Sequence, residues 1–233
     1  MNQSALNLIA VTVFAFTMLS LLGPVIHVSP LVTAIAAGGL LGAATLDTLT
    51  WQGRGGTLLL DWVAGFSPEH RARVLRHEAG HFLVAHHLDI PITGYTLSAW
   101  EALRQGQPGA GGVSFDTTQL DAELSQGKLS AQQIDRYCTV WMAGIAAETL
   151  IYGNAEGGGN DRQTLYALWN ALRRSPAEAA LKERWATLQA KNMLETHRAA
   201  YDRLVAAMER RDSVEACRAV LSSPADASAP SAV

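Results

Sequence analysis

Cysteine is scarce. The 233 residues hold two, Cys138 and Cys217, far apart and without the Cys-x-x-Cys spacing of redox centres and zinc knuckles. That excludes a disulfide framework as the basis of the fold, and both read as buried thiols of a reducing compartment. Charge of one sign is lacking as well. With 18 basic and 21 acidic residues the formal net charge is −3, and no basic stripe interleaved with aromatics offers itself to nucleic acid. No Lys or Arg precedes Arg54, so the apolar N-terminus has no basic leader of the kind that a cleaved signal peptide carries. A Gly-x-x-x-x-Gly-Lys-Ser/Thr loop is also missing, and no ATP-hydrolysing module is expected. A chain of this length holds one well-cored domain plus shorter segments.

What is present begins with apolar length. From Ala5 to Leu22 there is no charged residue, a break follows at Gly23, Pro24, Ser29 and Pro30, and a second apolar stretch runs from Leu31 to Leu46, ended by Asp47. The pattern predicts two transmembrane helices forming a membrane anchor over 1–50, with Trp51 at the interface. Ala34, Gly38 and Gly42 would let the two backbones approach closely in lipid. The basic residues Arg54, Arg71, Arg73 and Arg76 follow the second span, which puts both termini on the cytoplasmic side or its stromal or matrix equivalent. A signal peptide and a buried hairpin of a soluble protein are the alternatives. Residues 51–66 read as a linker, flexible at Gly53–Gly56.

A helix is signalled from Ser67-Pro68, where a serine cap and a first-turn proline agree. On it lies His77-Glu78-Ala79-Gly80-His81. Two histidines at i and i+4 share one helix face and can both reach a tetrahedral zinc, while Glu78 stands near the open fourth position. Zinc brings its bound water towards neutral pKa, and a carboxylate beside it can take a proton and return it to a leaving amine. His86 and His87 read as surface or packing residues. Such sites need a third protein ligand, for which the residues alone offer few candidates.

A long helix is predicted from Ser130, capped with Gln133, through Ile134, Tyr137, Cys138, Trp141, Met142, Ile145, Ala146 and Leu150, ending at Gly153. Glu148 on it either faces outward or is buried with a partner. The turn Gly157-Gly-Gly-Asn-Asp161 leads into another helix capped by Asn160, where Asp161, taken alone, reads as an acid favouring the helix dipole. Ile92–Trp100 and Gly112–Phe115 read as short strands around a loop. Beyond Ser175-Pro176 packing helices are predicted through Leu181, Trp185, Leu188, Met193 and Leu194, then Tyr201, Leu204, Val205 and Met208. The tail 222–233 reads as disordered.

The stretch Met142-Ala-Gly-Ile-Ala-Ala-Glu-Thr-Leu-Ile-Tyr-Gly153, then Gly157-Gly-Gly-Asn-Asp161, together with the His-Glu-Ala-Gly-His pentad, resembles the peptidase domain of FtsH-type zinc proteases. In that family the helix carries Gly-Gly-Arg-Ala-Ala-Glu-Glu-Leu and the turn Gly-Ala-Ser-Asn-Asp-Leu. The resemblance runs, with lower specificity at its edges, from about Ser67 to Ala171. It implies a mainly α (α+β) fold, a helical zincin-like peptidase domain over 67–221 with a small β-hairpin. It further implies His77 and His81 as zinc ligands, Glu78 as catalytic base, Asp161 as third ligand and Glu148 as a residue orienting a ligand histidine.

The chain departs from the family in having no ATPase module, and Ile145, Thr149 and Arg162 replace the family's arginine, second glutamate and leucine. Two functions follow as expectations. One is an ATP-independent, membrane-anchored zinc endopeptidase acting on polypeptide, whose exposed strand could pair with an extended substrate. The other is a non-proteolytic assembly or chaperone-like partner of a membrane complex. A homo-oligomer is compatible with either. The charges flanking the pentad keep it out of lipid and disfavour an intramembrane protease.

Overall fold

The structure, a computed structural model, describes residues 3–51, 55–56, 58–59, 65, 67–106 and 111–223. Most of the expected linker, and the tail from 224 onwards, lie outside the described residues, as does the side chain of Trp51. Among the described residues the chain is mainly helical, with eleven helices and one two-stranded antiparallel sheet. It divides into two compact units, Met1–Pro68 with Ser98–Gly111, and Glu69–Leu97 with Gly112–Val233.

The first unit begins with α1 (Gln3–Leu22) and α2 (Pro30–Trp51). The turn between them is closed by the Val28 amide donating to the Gly23 carbonyl at 2.8 Å. Asp47 does not end α2. The helix continues to Trp51, and the Asp47 carboxylate accepts from the Gly55 and Gly56 amides, each at 2.9 Å. Thr17, Thr45, Thr48 and Thr50 each donate a hydroxyl to the carbonyl four residues back, so these apolar helices carry four hydroxyls that need no water. One described helix, Pro30–Thr50, is long and apolar enough to cross a membrane, while the apolar run Ile9–Leu22 is shorter. The expected close seam is not formed. A Cβ added at Gly38 or Gly42 would meet nothing within 4 Å. An open groove of about 490 Å³ instead separates Phe16 and Ser20 from Pro30 and Ala34.

The second unit carries α3 (Pro68–His87), which starts at the expected proline, and then β1 (Ile92–Thr96). The strand is shorter than the predicted Ile92–Trp100, because Ser98 accepts from the Glu101 amide and caps a short helix, α4 (Ala99–Arg104), in the first unit. Residues 98–111 therefore group with the N-terminal segment, although the sequence places them inside the span 67–221. The chain returns as β2 (Gly112–Phe115), which pairs antiparallel with β1 across a register irregularity between Ile92 and Gly94.

Seven helices complete this unit among the described residues: α5 (Thr118–Ser125), α6 (Ala131–Trp141), α7 (Ala143–Tyr152), α8 (Gly159–Ala171), α9 (Pro176–Thr196), α10 (Arg198–Glu209) and α11 (Val214–Ser222). The capping box of Ser130 with Gln133 opens α6 as expected, and a second box, Ser175 with Glu178, opens α9. The single long helix predicted from Ser130 to Gly153 is two helices meeting at Met142, where ψ is −2°.

Packing also corrects the predicted stripe on α9. Ala179, Ala186, Ala190 and Leu194 are the buried residues, and small side chains let α9 lie close against α6, α7 and α8. Leu181 and Leu188, expected in the core, are exposed. One core cluster joins Phe82, Leu83 and Val84 of α3 to Tyr201, Leu204 and Met208 of α10, and a second joins Met142 and Ile145 to Leu165 and Trp169. Tyr201, fully buried, donates its hydroxyl to the Arg76 carbonyl at 2.7 Å and so fixes α10 to α3 one residue before His77. Cys138 and Cys217 are free thiols, both buried.

Candidate metal centre

The central side chains sit on α3 because its polar pentad faces inward. Among the described residues His77 and His81 are two of the few polar ones that are buried, 7% and 5% exposed, and Ala79 and Phe82 beside them are fully buried. What makes room is the absence of a side chain at Gly144 on α7 and at Gly80 on α3. A Cβ added to Gly144 would lie 2.2 Å from His77 Nε2, and one added to Gly80 would lie 2.7 Å from the Ala143 carbonyl oxygen. The two helices approach closely at these glycines, and the break at Met142 sets the direction in which α7 arrives.

Each histidine is oriented from behind. His77 Nδ1 lies 2.7 Å from Glu148 Oε1, and His81 Nδ1 lies 2.7 Å from the Val140 carbonyl oxygen. A carbonyl and an ionised carboxylate can only accept, so both Nδ1 atoms carry hydrogen. The Nε2 atoms then face forward. They are 3.0 Å apart, and Asp161 Oδ2 stands 3.1 Å from His77 Nε2 and 3.5 Å from that of His81. Asp161 comes from the first turn of α8, where the dipole favours its charge. The cap of α8 is Gly158, not Asn160 as the sequence suggested, and Asn160 is its second helical residue.

Glu148 is the buried acid of this arrangement, 1% exposed, and both its oxygens are used. Besides His77 it accepts from Arg73 Nη1 at 3.0 Å, from the Glu156 amide at 2.8 Å and from the Gly157 amide at 3.1 Å. The loop after α7 thus wraps the carboxylate, and α3 supplies its counter-charge. Arg73 also reaches Glu156 and lies over the Tyr152 ring, 4.2 Å from its centroid. Burial would push Glu148 up, but His77, the Glu156 amide and Arg73 hold it down at about 2.

The pKa values of the forward-facing atoms carry the main electrostatic signal. Burial alone would lower His77, yet hydrogen bonds with Asp161 and Glu148, with the charges of Glu78 and Asp161, raise it to about 10. His81 is raised for similar reasons, chiefly by Asp161 against its own burial, and Asp161 is pulled down by the two histidines against its burial. With neutral imidazoles, three lone pairs would converge on one point, so the site requires positive charge there, as protons or as a metal ion.

The donor set fits zinc. Two imidazole nitrogens and one carboxylate oxygen are a usual catalytic zinc set, and bonds of about 2.05 Å at tetrahedral angles would space the donors about 3.3 Å apart. The spacings here are 3.0, 3.1 and 3.5 Å. Among the described residues these are the three that converge in this way.

Glu78, next to His77, meets the hairpin. Its Oε2 accepts from the Val113 amide of β2 at 2.9 Å. Gly112 approaches closely with φ +130°, and a Cβ there would lie 3.1 Å from the same oxygen. Because the Val113 amide points to Glu78, the outer edge of β2 runs past this carboxylate, and among the described residues no further strand pairs with it. His86 and His87 lie outside the site. His87 Nδ1 bonds to the Leu83 carbonyl, and its ring stacks on His197 at 3.9 Å.

Sequence reasoning missed Arg73, the Val140 carbonyl and the Val113 amide. Arg73 was legible in principle, because it stands four residues before His77 and so shares its helix face. Main-chain partners leave no residue signal. No protein-family model matches the chain, and no curated protein matches it.

Proposed function

We propose that this chain is a membrane-anchored zinc endopeptidase that hydrolyses peptide bonds without ATP, with His77, His81 and Asp161 holding the metal and Glu78 as general base. The observation that carries this reading is the convergence of two Nε2 atoms and Asp161 Oδ2 within 3.0–3.5 Å, with each opposite ring nitrogen already tied to an acceptor. The likeness of the pentad and of the Met142–Asp161 stretch to FtsH-type peptidases supports the same assignment, as does a mainly helical unit with one small hairpin. Zinc bound there would polarise a scissile carbonyl and acidify its bound water.

The residues of the chain do the rest. Glu148 and the Val140 carbonyl lock the tautomer and plane of the two imidazoles, so that both Nε2 lone pairs stay forward. Glu78, close enough to raise both histidines by its charge, takes a proton from the attacking water and passes it to the leaving amine. The Val113 amide holds that carboxylate in one orientation while bonding it to a single oxygen. An extended polypeptide laid along the outer edge of β2 would pair through its backbone and pass Glu78 with little demand on sequence.

The anchor completes the proposal. Helix α2 spans the bilayer, α1 forms the other arm of a hairpin, and the basic residues after α2 keep the second unit on the cytoplasmic side or its organellar equivalent. The test is cleavage of casein by the full chain in detergent, with zinc and no ATP, beside Glu78→Gln, which keeps all three ligands. Cleavage lost in the variant supports the reading. Zinc retained by both proteins with no cleavage by either would refute peptidase activity and favour a binding role.

A further inference from the structure

The chain leaves β1 at Thr96, forms a segment that belongs to the same compact unit as the N-terminal helices, and returns at Gly112 to the strand whose next amide holds Glu78. Two residues of this segment are exposed although large and apolar. Trp100 is 47% and Leu103 49% exposed, and they stand one helical turn apart on α4. The neighbouring face of the same helix is packed, with Ala99 and Ala102 buried. Ser98 caps this helix, so the presentation of Trp100 and Leu103 is fixed by local structure and is not left to a loose loop.

We infer that α4 seats Trp100 and Leu103 in the interfacial layer of a lipid bilayer, making the insert between the two strands a second membrane contact of the chain. This rests on the proposed membrane anchor. Three observations choose lipid over another occupant. The segment belongs to the same compact unit as the helix long and apolar enough to cross a membrane. Its exposed pair is a tryptophan with a leucine, the combination that sits at the boundary between headgroups and acyl chains. Arg104, exposed and next to Leu103, suits anionic headgroups.

The consequence concerns the substrate. Strand β1, which pairs with β2, ends at Thr96, four residues before Trp100, so the chain itself ties the hairpin to the lipid-seated helix. The favoured substrates are then membrane-proximal segments, in preference to freely diffusing chains.

The test uses the full chain in vesicles of phosphatidylcholine and phosphatidylglycerol, with an environment-sensitive dye on one introduced cysteine at a time. Cys138 and Cys217 are fully buried and leave the introduced thiol as the reactive one. Leu103→Cys reports on the insert, Leu40→Cys on α2, and Glu195→Cys, on α9, serves as the aqueous reference. Quenching by spin-labelled acyl chains is expected to be on the order of two-fold stronger at Leu103→Cys than at Glu195→Cys, as for a group buried in the boundary layer. Quenching at Leu40→Cys with none at Leu103→Cys overturns the inference and leaves the anchor standing. No quenching at Leu40→Cys overturns the anchor itself. A Leu103→Cys dye shielded from iodide yet untouched by lipid quenchers would put a second protein chain on this face, and that also overturns it.

Discussion

The two units treat polar and apolar groups in opposite ways. In the second, the polar groups behind His77 and His81 are paired: Glu148 takes four donors, Arg73 bridges two acids, and even the main chain of Val140 is used. In the first, large apolar side chains such as Phe14, Ile35, Leu41 and Leu49 are exposed, and the glycines of α2 face open space. The site of the second unit is held by its own polar contacts, whereas the first unit exposes a long apolar helix. Substitutions should therefore be costly at the site and nearly silent on α2 as far as the metal unit is concerned.

The sharpest break in that comparison is His81→Ala. It should abolish zinc binding in equilibrium dialysis and lower kcat/KM by roughly a thousandfold or more, since the site acts as a unit. Leu40→Ala on α2 should change neither. Next is Glu148→Gln, which keeps the shape but loses the charge behind His77, and should weaken zinc affinity about 10–100-fold. If affinity were unchanged, Glu148 would be a fold residue only.

Gly144→Ala sharpens the contrast through packing. Its new methyl would lie 2.2 Å from His77 Nε2, so a loss of about 1–3 kcal/mol is expected in thermal or denaturant unfolding. Gly38→Ala, with nothing within 4 Å, should be neutral or gain up to about 1 kcal/mol of helix stability.

Protonation gives a smaller effect with a definite sign. In the metal-free fold His77 holds its proton up to about 10, against roughly 6.5 in an unfolded chain. The stability it contributes is complete below about pH 6.5 and fades as pH rises through about 10, on the order of 1 kcal/mol per unit where the two states differ. Glu148 and Asp161 act oppositely, since their pKa values are depressed and their contribution is lost in acid. Zinc-free protein should therefore melt highest in mildly acidic buffer, and zinc should flatten the alkaline limb. Calorimetry in buffers of different ionisation enthalpy should show proton release on zinc binding near pH 8, with His77 contributing.

The sequence made some of this legible for physical reasons. His77 and His81 at i and i+4 needed only a helix to share a face, and Ser130 with Gln133 and Ser175 with Pro176 marked helix starts locally. Other features depend on what the chain meets elsewhere. The break at Met142 has no proline to announce it, and Gly144 two residues on is compatible with an unbroken helix, while the alanine face of α9 is less hydrophobic than the Leu181 and Leu188 face that the structure leaves exposed. Asp161 alone read as a helix-dipole acid. The resemblance named it as third ligand, and its 3.1 Å distance from His77 Nε2 is what brings it to the same point.

The most direct test of the central claim is the zinc K-edge absorption spectrum of the zinc-loaded full chain, beside that of Asp161→Ala. The account predicts four nitrogen or oxygen neighbours at about 2.0–2.1 Å with the multiple scattering of two imidazoles, and one protein oxygen lost or replaced by water in the variant. Sulfur at about 2.3 Å, or fewer than two imidazoles, would contradict it.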